Sequence, residues 1–428
     1  MEAVKALVKK IARKNCPLFP GIKERNAMKV CILTTSFPLG KGDISGMFVL
    51  EQARHLIKHG ASVSIVAPHH LGSPLDEDMY DIQVHRFRYF LPEKLQKLCY
   101  GSGMPNNIRE FPWTKLQLPL LVLLFTIQAI RHARGCDIIH AHWSIAGIAG
   151  FIAARIMRKP IVLNIHQGTL RDFTKIERVL LENVDYVVFN SSYTLSHAMK
   201  YAKPVNYAIV PPGVDTEKFQ RRSSSWKSTD ILPARVTDKP ILFTLGRLVA
   251  WKGHGYLIHA VRLVKEKMNV HLLIGGEGTL RQDLDNLVKD RDLEDDVTFL
   301  GHIPGHLMNT YYSNADIYIQ PSIIDKDGTT EGLGVTILEA MACGTPCIGS
   351  KVGGIPDIIR DGENGFLVNP AEPEQLADKI ILLLQDKDLR ERIGREGRRF
   401  VEENYSWNAK AGELMGIYGR LLQKRKNE

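Results

Sequence analysis

The chain has 428 residues, of which 44% are hydrophobic and 24% are charged, a composition typical of a folded globular protein. Because one hydrophobic core stops growing at roughly 250–300 residues, this length predicts two domains of about 200 residues each. The net charge of +9 favours anionic partners such as nucleotide diphosphates or acidic lipid surfaces. The sequence contains no helix-turn-helix, zinc-finger or aromatic RNA-binding pattern, so we expect no nucleic-acid partner.

At the beginning of the chain, residues 1–15 alternate basic and apolar side chains without the continuous apolar core of a secretory signal. As a helix, this segment would be amphipathic and cationic, a pattern typical of anchors at membrane surfaces; a frayed surface helix is the alternative. Six scattered cysteines fit a reducing compartment better than a disulfide framework. We therefore expect a cytoplasmic protein whose basic segment, residues 1–27, binds peripherally to the anionic cytoplasmic face of a membrane.

Strand and helix patterns then alternate in two series along the chain. Short, continuously apolar runs are typical of parallel strands that are buried on both faces. The predicted strands are residues 29–35, 63–67, 138–139, 161–165 and 186–189 in the first series, and residues 241–245, 271–274, 297–300, 317–320 and 346–348 in the second. This alternation predicts an α/β protein with two doubly wound domains, whose ligands bind beyond the carboxyl ends of the strands.

A polar segment at about residues 221–239, rich in Ser, Lys and Asp, separates the two series and predicts a linker. We therefore place the first domain at residues 28–220 and the second at residues 221–395, followed by a final helical segment at residues 396–428. The most apolar stretch of the chain, residues 116–130, is shorter than the roughly 20 residues of a membrane span. We predict a buried or interfacial helix there.

Glu331 and Glu339 stand eight positions apart in the second domain, with a glycine-rich turn after the first and an apolar helical pattern before the second. If the helix begins near Gly334 and Val335, its free N–H groups and the positive end of its dipole lie beside Glu331. A helix start of this kind binds anions, most naturally a phosphate or a diphosphate. Because carboxylates accept hydrogen bonds from hydroxyl groups, acids around an anion site favour a ligand with both groups, such as a sugar nucleotide.

Two cations, Arg247 and Lys252, stand five positions apart in a loop that follows a predicted strand. Arginine binds phosphate through its forked guanidinium and lysine as a point charge, so the pair can neutralise a diphosphate without a metal. Asp325 and Asp327 form a D-x-D pattern of the kind that holds metals in another fold, but the same spacing recurs elsewhere in the chain. We therefore expect no metal and no other cofactor.

The stretch from Glu331 to Pro346 and the loop 246–253 resemble the E-x7-E and G-R-x4-K-G motifs of retaining glycosyltransferases of the GT-B fold, glycosyltransferase family 4. The resemblance extends to bacterial surface-polysaccharide glycosyltransferases. It implies two Rossmann-like domains that face each other across a cleft, the first binding the acceptor and the second binding the nucleotide sugar. It also implies that the final helical segment crosses back to the first domain.

The activity that the resemblance implies is transfer of a sugar from a nucleotide-diphosphate donor to an acceptor hydroxyl, with retention of the anomeric configuration. The acceptor would be a glycan or lipid-linked molecule in polysaccharide or glycoconjugate biosynthesis. Two alternatives stay open: a nucleotide-sugar epimerase of similar fold, and a non-catalytic partner subunit that binds sugar nucleotide. The presence of Arg247, Lys252, Glu331 and His166 together argues against the non-catalytic subunit.

The resemblance also implies roles for individual residues. Glu331 would contact the hydroxyls of the transferred sugar and Glu339 those of the ribose. His166 ends a predicted strand, where it would contact the sugar near its reacting carbon; a hydrogen-bonded core histidine is the alternative. This chain has Gln167 after His166 where the family has glycine, and it has Ile-Ser-Gly-Met-Phe around Gly46 where many members have two glycines. The donor diphosphate would contact Arg247, Lys252, Gly334, Val335 and Gly46.

Overall fold

The computed structural model describes residues 27–427 except for 41–42, 44, 102, 167–173 and 222–238. The predicted basic segment, apart from its last residue, and most of the predicted linker therefore lie outside the described residues. The remaining chain folds into two halves, each built on its own sheet.

The first half is built on an eight-stranded sheet. Its strands are β1 (Met28–Leu33), β2 (Ala61–Pro68), β3 (Asp76–Met79), β4 (Ile82–Phe87), β5 (Ile138–His142), β6 (Ile161–Ile165), β7 (Tyr186–Phe189) and β8 (Tyr207–Ile209). They are ordered β3-β4-β2-β1-β5-β6-β7-β8, and every neighbouring pair is parallel except β3 and β4. The helices are α1 (Met47–Lys58), α2 (Met104–Glu110), α3 (Leu118–Ala133), α4 (Trp143–Met157), α5 (Lys175–Asn183) and α6 (Ser192–Ala198).

The second half is built on a six-stranded, fully parallel sheet. Its strands are β9 (Ile241–Leu245), β10 (His271–Gly275), β11 (Val297–Gly301), β12 (Ile317–Gln320), β13 (Cys347–Ser350) and β14 (Phe366–Val368), in the order β11-β10-β9-β12-β13-β14. Its helices are α7 (His254–Lys265), α8 (Arg281–Asp290), α9 (Met308–Asn314), α10 (Val335–Ala342), α11 (Ile355–Ile358), α12 (Pro373–Gln385) and α13 (Lys387–Asn404). A last helix, α14 (Trp407–Asn427), follows.

Helices cover both faces of each sheet. Successive side chains of a strand point to opposite faces, so each strand contributes to two cores. In β1, Cys31 and Leu33 join the core that α3 and α4 cover, whereas Val30 and Ile32 face the core under α1. All four side chains are fully buried. The predicted architecture of two doubly wound α/β domains is therefore confirmed.

The chain crosses back to the first half later than predicted. Residues 396–404 belong to α13, and Val401 in that helix packs in the core of the second half. The crossing helix begins at Trp407, after a turn at Tyr405. The carbonyl oxygen of Tyr405 accepts a hydrogen bond from Val214 N at 2.8 Å. Leu414 and Tyr418 of α14 then pack in the core under α1. The predicted final segment, residues 396–428, therefore begins inside α13, and its part from Trp407 onward forms the crossing helix.

Candidate functional site

The loop after β9 brings Lys252 to the carboxyl edge of the second sheet. A 3-10 turn over Ala250–Lys252 ends at Gly253, whose φ is +70°. A Cβ atom at Gly253 would lie 1.9 Å from the carbonyl oxygen of Pro321, so only glycine permits this backbone contact. The contact holds the loop against the segment that follows β12 and leads to Glu331.

Lys252 and Glu331 form a buried ion pair, in which Nζ lies 2.5 Å from Oε2. Gln320, at the end of β12, places its Nε2 3.4 Å from the same oxygen. Thr336, in the first turn of α10, donates from Oγ1 to Gln320 Oε1 at 3.0 Å. Gln320 thus connects Glu331 with the start of α10. Gln320 belongs to neither sequence motif, although a polar side chain that ends an apolar strand was a usable signal.

Arg247 lies in the same loop as Lys252 but is exposed to solvent. Both cations lie near the ring of Trp251, with Arg247 Cζ 5.8 Å and Lys252 Nζ 4.5 Å from its centre, within the range of cation–π attraction. The glycine-rich turn at residues 275–278 packs against this loop, and Leu248 N of the loop donates to Glu277 O at 2.9 Å. The loop therefore presents two positioned cations on one side of the cleft.

Helix α10 begins at Val335 with Gly334 as its N-cap residue, as the sequence predicted. Its first N–H groups have no carbonyl partner within the helix, and the dipole gives this end a partial positive charge. Glu339 lies in the second turn, where Tyr312 donates from its hydroxyl to Oε2 at 2.7 Å. Burial raises the pKa of Glu339 to about 7, although the Tyr312 hydrogen bond acts in the opposite direction.

In the first half, the ends of β5 and β6 form a cluster of histidines. His142 Nδ1 lies 2.9 Å from His166 Nε2, and the two rings are parallel within 4°. His140 also stacks on His142, with ring centres 4.7 Å apart. Burial lowers the pKa of His140 to about 4 and that of His166 to about 3, and it also lowers the pKa of His142. All three rings are therefore neutral near pH 7.

The hydrogen-bond partners assign the proton positions in this cluster, because a neutral imidazole donates from one nitrogen and accepts at the other. Asn164 Oδ1 can only accept, so His140 Nε2, 2.9 Å away, carries the proton. His140 Nδ1 then accepts from the hydroxyl of Tyr418 on α14, at 2.5 Å. Gln52 Nε2 of α1, 3.3 Å away, also donates to this nitrogen. The crossing helix and α1 therefore both support the tautomer that Asn164 assigns to His140.

The position of the proton on His166 also follows from its hydrogen-bond partners. Asn164 Nδ2 donates to His166 Nε2 at 3.5 Å, and His142 Nδ1 donates to the same nitrogen. His142 Nε2 in turn accepts from Gln52 Nε2 of α1, 3.4 Å away. His166 Nε2 is therefore an acceptor, and the proton of the ring is on Nδ1. The sequence motifs did not predict the roles of Gln52, Asn164 and Tyr418. For Asn164, a polar residue in a buried strand was the available signal.

Gly46 is the N-cap residue of α1 and has a φ of +67°. A Cβ atom there would lie 2.3 Å from the carbonyl oxygen of Ser36, so the beginning and the end of the loop after β1 meet at this glycine. Phe48, two residues later, places its ring centre 4.7 Å from that of His166. Gly46 and His166, which the sequence assigned separately, therefore lie in one region of the first half.

The predicted residues form two groups, one in each half of the protein. Among the described residues, no hydrogen bond or ion pair links His166 with Arg247, Lys252, Glu331 or Glu339. The halves themselves meet near the second group, where Ser192 N of the first half donates to Asp357 Oδ2 of the second at 2.6 Å. Gly354, three residues before Asp357, donates from its N–H to Glu331 O at 3.1 Å.

The Asp325-Lys-Asp327 segment forms a local turn. Asp325 Oδ1 accepts from the N–H groups of Asp327 and Thr329, at 3.0 and 2.8 Å. In the part of the chain that the structure describes, no cluster of three or more His, Cys, Asp or Glu is arranged to bind a metal ion.

Two family models match the chain, one in each half. The model described as Glycosyltransferase Family 4 matches residues 45–218, and the model described as Glycosyl transferases group 1 matches residues 231–400. The first match contains Gly46 and His166, and the second contains both cations, both glutamates and the start of α10.

Curated relatives and solved structures agree with these matches. An uncharacterized glycosyltransferase of Methanocaldococcus jannaschii is 30% identical over 298 residues, which are 66% of this chain and 75% of that protein. The GDP-mannose-dependent alpha-(1-6)-phosphatidylinositol monomannoside mannosyltransferase of Mycobacterium tuberculosis is 25% identical over 397 residues, 90% of this chain and 97% of that protein. Sucrose-phosphate synthase of Thermosynechococcus elongatus shares the fold, with a TM-score of 0.75 at 23% identity over 93% of this chain and 100% of that one.

Proposed function

Because the chain belongs to the family 4 glycosyltransferases of the GT-B fold, we propose that it transfers a sugar from a nucleotide-diphosphate donor to an acceptor hydroxyl with retention. The observation that carries this proposal is the buried Lys252–Glu331 pair beside the first turn of α10. In this pair, Lys252 is the cation that would contact the leaving diphosphate, and Glu331 is the carboxylate that would contact the sugar. Both lie next to a helix start that favours anions.

The donor diphosphate would lie between the loop after β9 and the start of α10. Arg247, Lys252 and the N–H groups at Gly334 and Val335 then face the leaving group from two sides. Charge separates between the sugar ring and the diphosphate in the transition state, so fixed donors at the leaving group lower the barrier. An ammonium group has three N–H donors, so Lys252 can donate to Glu331 and to a phosphate oxygen together.

The two glutamates would take different parts of the donor. One carboxylate oxygen of Glu331 accepts hydrogen bonds from Lys252 and Gln320. This arrangement would orient the carboxylate toward the sugar hydroxyls and the positively charged ring. Glu339 lies deeper in α10 and would hold the ribose. We infer attack from the same face as the departing diphosphate, whose oxygens would accept the acceptor proton, rather than a covalent intermediate on Glu331.

His166 would contact the sugar from the first half of the protein. Its Nδ1–H is the donor that the hydrogen-bond network leaves available, and its low pKa keeps the ring neutral. A neutral donor suits a sugar hydroxyl and adds no charge that would oppose the oxocarbenium-like transition state. Gly46, beside Phe48, would let the backbone approach the donor phosphate.

The acceptor is proposed to be a glycan or a lipid-linked molecule in polysaccharide or glycoconjugate biosynthesis. The Mycobacterium tuberculosis relative, by its name, uses GDP-mannose and acts on a phosphatidylinositol monomannoside, which supports a nucleotide-sugar donor and a lipid-linked acceptor. A cytoplasmic location and peripheral membrane contact through residues 1–27 remain part of the proposal.

A screen of nucleotide sugars tests this function. The chain is incubated with UDP-, GDP-, ADP- and TDP-sugars in EDTA, because Arg247 and Lys252 are proposed to replace a metal. Release of the nucleoside diphosphate identifies the donor, and NMR of the glycoside reports the anomeric configuration. Glu331→Gln is the control for contaminating activity.

The alternatives predict other outcomes of the same screen. An epimerase would convert the sugar without releasing the diphosphate, and a non-catalytic subunit would bind one donor without turnover. An inverted product would contradict retention, and activity that EDTA abolishes and Mn²⁺ restores would contradict the metal-free site.

A further inference from the structure

Helix α3 and the 3-10 turn before it carry a row of apolar side chains that the protein leaves exposed. Leu116 is 80% exposed, Leu123 56% and Ile127 48%, and Leu120 lies in the same row. Spacings of three and four residues place these side chains along one face. We call Leu116, Leu120, Leu123 and Ile127 the α3 stripe. A contiguous exposed apolar surface is typical of a site that docks onto a membrane or another protein.

The opposite face of α3 is part of the core. Leu121, Phe125 and Ala129 are fully buried against the first sheet and α4. Among the described residues, Pro112–Ala133 is the one stretch that is long and apolar enough to cross a membrane, and 33% of its most apolar window is buried. Spanning a bilayer would withdraw Leu121 and Phe125 from the core, whereas lying on its surface leaves the core intact.

Basic side chains extend the α3 stripe. Residues 111–136 contain no Asp or Glu, whereas Lys115, Arg131 and Arg134 are exposed. Arg131 and Arg134 continue the face of the stripe by one further turn and line a surface pocket with two isoleucines of α3. Guanidinium groups beside apolar side chains match a lipid phosphate that lies above its acyl chains.

The stripe begins at the edge of the first sheet that faces the cleft. Gln117, next to Leu116, donates from Nε2 to the carbonyl oxygen of Leu95 at 2.7 Å. Leu95 lies in the loop that follows β4, and its neighbour Gln96 reaches His69, directly after β2, at 3.5 Å. The carboxyl ends of β2 and β4 meet there, so the stripe leads from the acceptor side of the cleft.

We propose that the α3 stripe, with Arg131 and Arg134, docks the first domain onto an anionic lipid surface. Helix α3 lies in the plane of the headgroups, its leucines among the upper acyl chains and its arginines on lipid phosphates. Docking in this orientation presents the acceptor side of the cleft to the membrane. The inference rests on the proposed lipid-linked acceptor for its purpose, but docking is measured without donor or acceptor.

Co-sedimentation of the full chain with vesicles tests the docking. The vesicles contain phosphatidylcholine alone or phosphatidylcholine with phosphatidylglycerol. Leu116→Gln/Leu123→Gln/Ile127→Gln should weaken binding at least about tenfold, and Arg131→Gln/Arg134→Gln roughly thirtyfold on anionic vesicles only. The matched control is Ile176→Gln/Val179→Gln, which changes two equally exposed apolar residues of α5 (62% and 56%) and should bind like the parent.

Three outcomes would overturn the docking surface. The first is unchanged vesicle binding by the stripe variant, which would leave residues 1–15 as the membrane contact. The second is an equal loss in the control variant. The third is a dimeric parent that the stripe variant makes monomeric with vesicle binding unchanged, since a second copy would then cover the stripe. The stripe variant should hydrolyse the donor as fast as the parent does. If the parent itself hydrolyses no donor, that result contradicts the proposed function and leaves the docking surface untouched.

Discussion

The ammonium nitrogen of Lys252 lies 2.5 Å from a carboxylate oxygen of Glu331, although 79 positions separate the two residues in the chain. Both side chains are largely buried, with 9% and 12% exposure. Removing one member of such a pair leaves an uncompensated buried charge, whereas removing both does not. The two motifs that point to the donor are therefore one structural unit.

This pairing predicts non-additive stability. Lys252→Met should lower the free energy of unfolding by about 3 kcal/mol, the usual cost of an unpaired buried charge. Lys252→Met/Glu331→Gln should lose clearly less than the two single variants together. Urea unfolding at pH 7.5 measures the free energy of unfolding of the parent, the two single variants and the double variant. Purely additive losses would mean that the two charges do not interact in solution.

The cations are expected to act on the leaving group. Arg247→Ala and Lys252→Ala should each lower kcat/KM at least about a hundredfold, the usual loss for one preorganised charge-assisted donor. Lys289→Ala, on the exposed side of α8, is the matched control and should leave kcat/KM unchanged. Near-normal turnover in both site variants would contradict the diphosphate assignment.

Glu331 and Glu339 should fail differently. Glu331→Gln should lower kcat while donor binding is largely kept, because contacts that strengthen in the transition state act on the chemical step. Glu339→Gln should mainly raise the KM of the donor, since the ribose does not react. Steady-state kinetics on folded variants separates the two, and the opposite pattern would reverse the assigned roles.

Donor binding should depend on pH through Glu339. Burial raises the pKa of this carboxyl to about 7, so it is mostly protonated at pH 6 and mostly ionised at pH 8. The ionised form accepts from both ribose hydroxyls, so the donor Kd should fall as pH rises, by up to about tenfold across this range. Calorimetric titration of Glu339→Gln is the control, because the phosphate groups of the donor titrate equally with both proteins. A parallel pH profile in the variant would exclude Glu339 as the cause.

Tyr418 should influence His166 from the crossing helix. Tyr418→Phe removes the nearer of two donors to His140 Nδ1 and leaves only Gln52 Nε2, 3.3 Å away, which loosens the contact of His140 with Asn164. We expect kcat to fall roughly tenfold, the effect of one lost hydrogen bond, with the donor KM unchanged. NMR of ¹⁵N-histidine should show protonated Nδ1 at His166 in the parent and a mixture in the variant.

Tyr89→Phe is the control for Tyr418→Phe, because Tyr89 is an equally buried tyrosine of the first half that hydrogen-bonds Leu98 N instead. A single, unchanged His166 tautomer in Tyr418→Phe would contradict the network.

Strands were predictable where burial on both faces makes a continuous apolar run. Strands β9 and β12 are of this kind, and their predicted limits agree with the structure. The outer strands β3, β4, β8 and β14 were missed. Strand β3, with the sequence Asp-Glu-Asp-Met, lies at the edge of the sheet, where solvent permits polar side chains and the apolar signal disappears.

The sequence by itself determined which candidate donor-binding residues are close in the chain. Arg247 with Lys252 and Glu331 with Glu339 follow from local spacing, because a loop and a helix start position their own residues. Only the tertiary structure decided that Lys252 meets Glu331, that Gln320 joins them to α10, and that Tyr418 joins the histidine network. The physical reason is that parallel strands bring residues that are distant in the chain to one edge, so their partners are chosen by packing rather than by spacing.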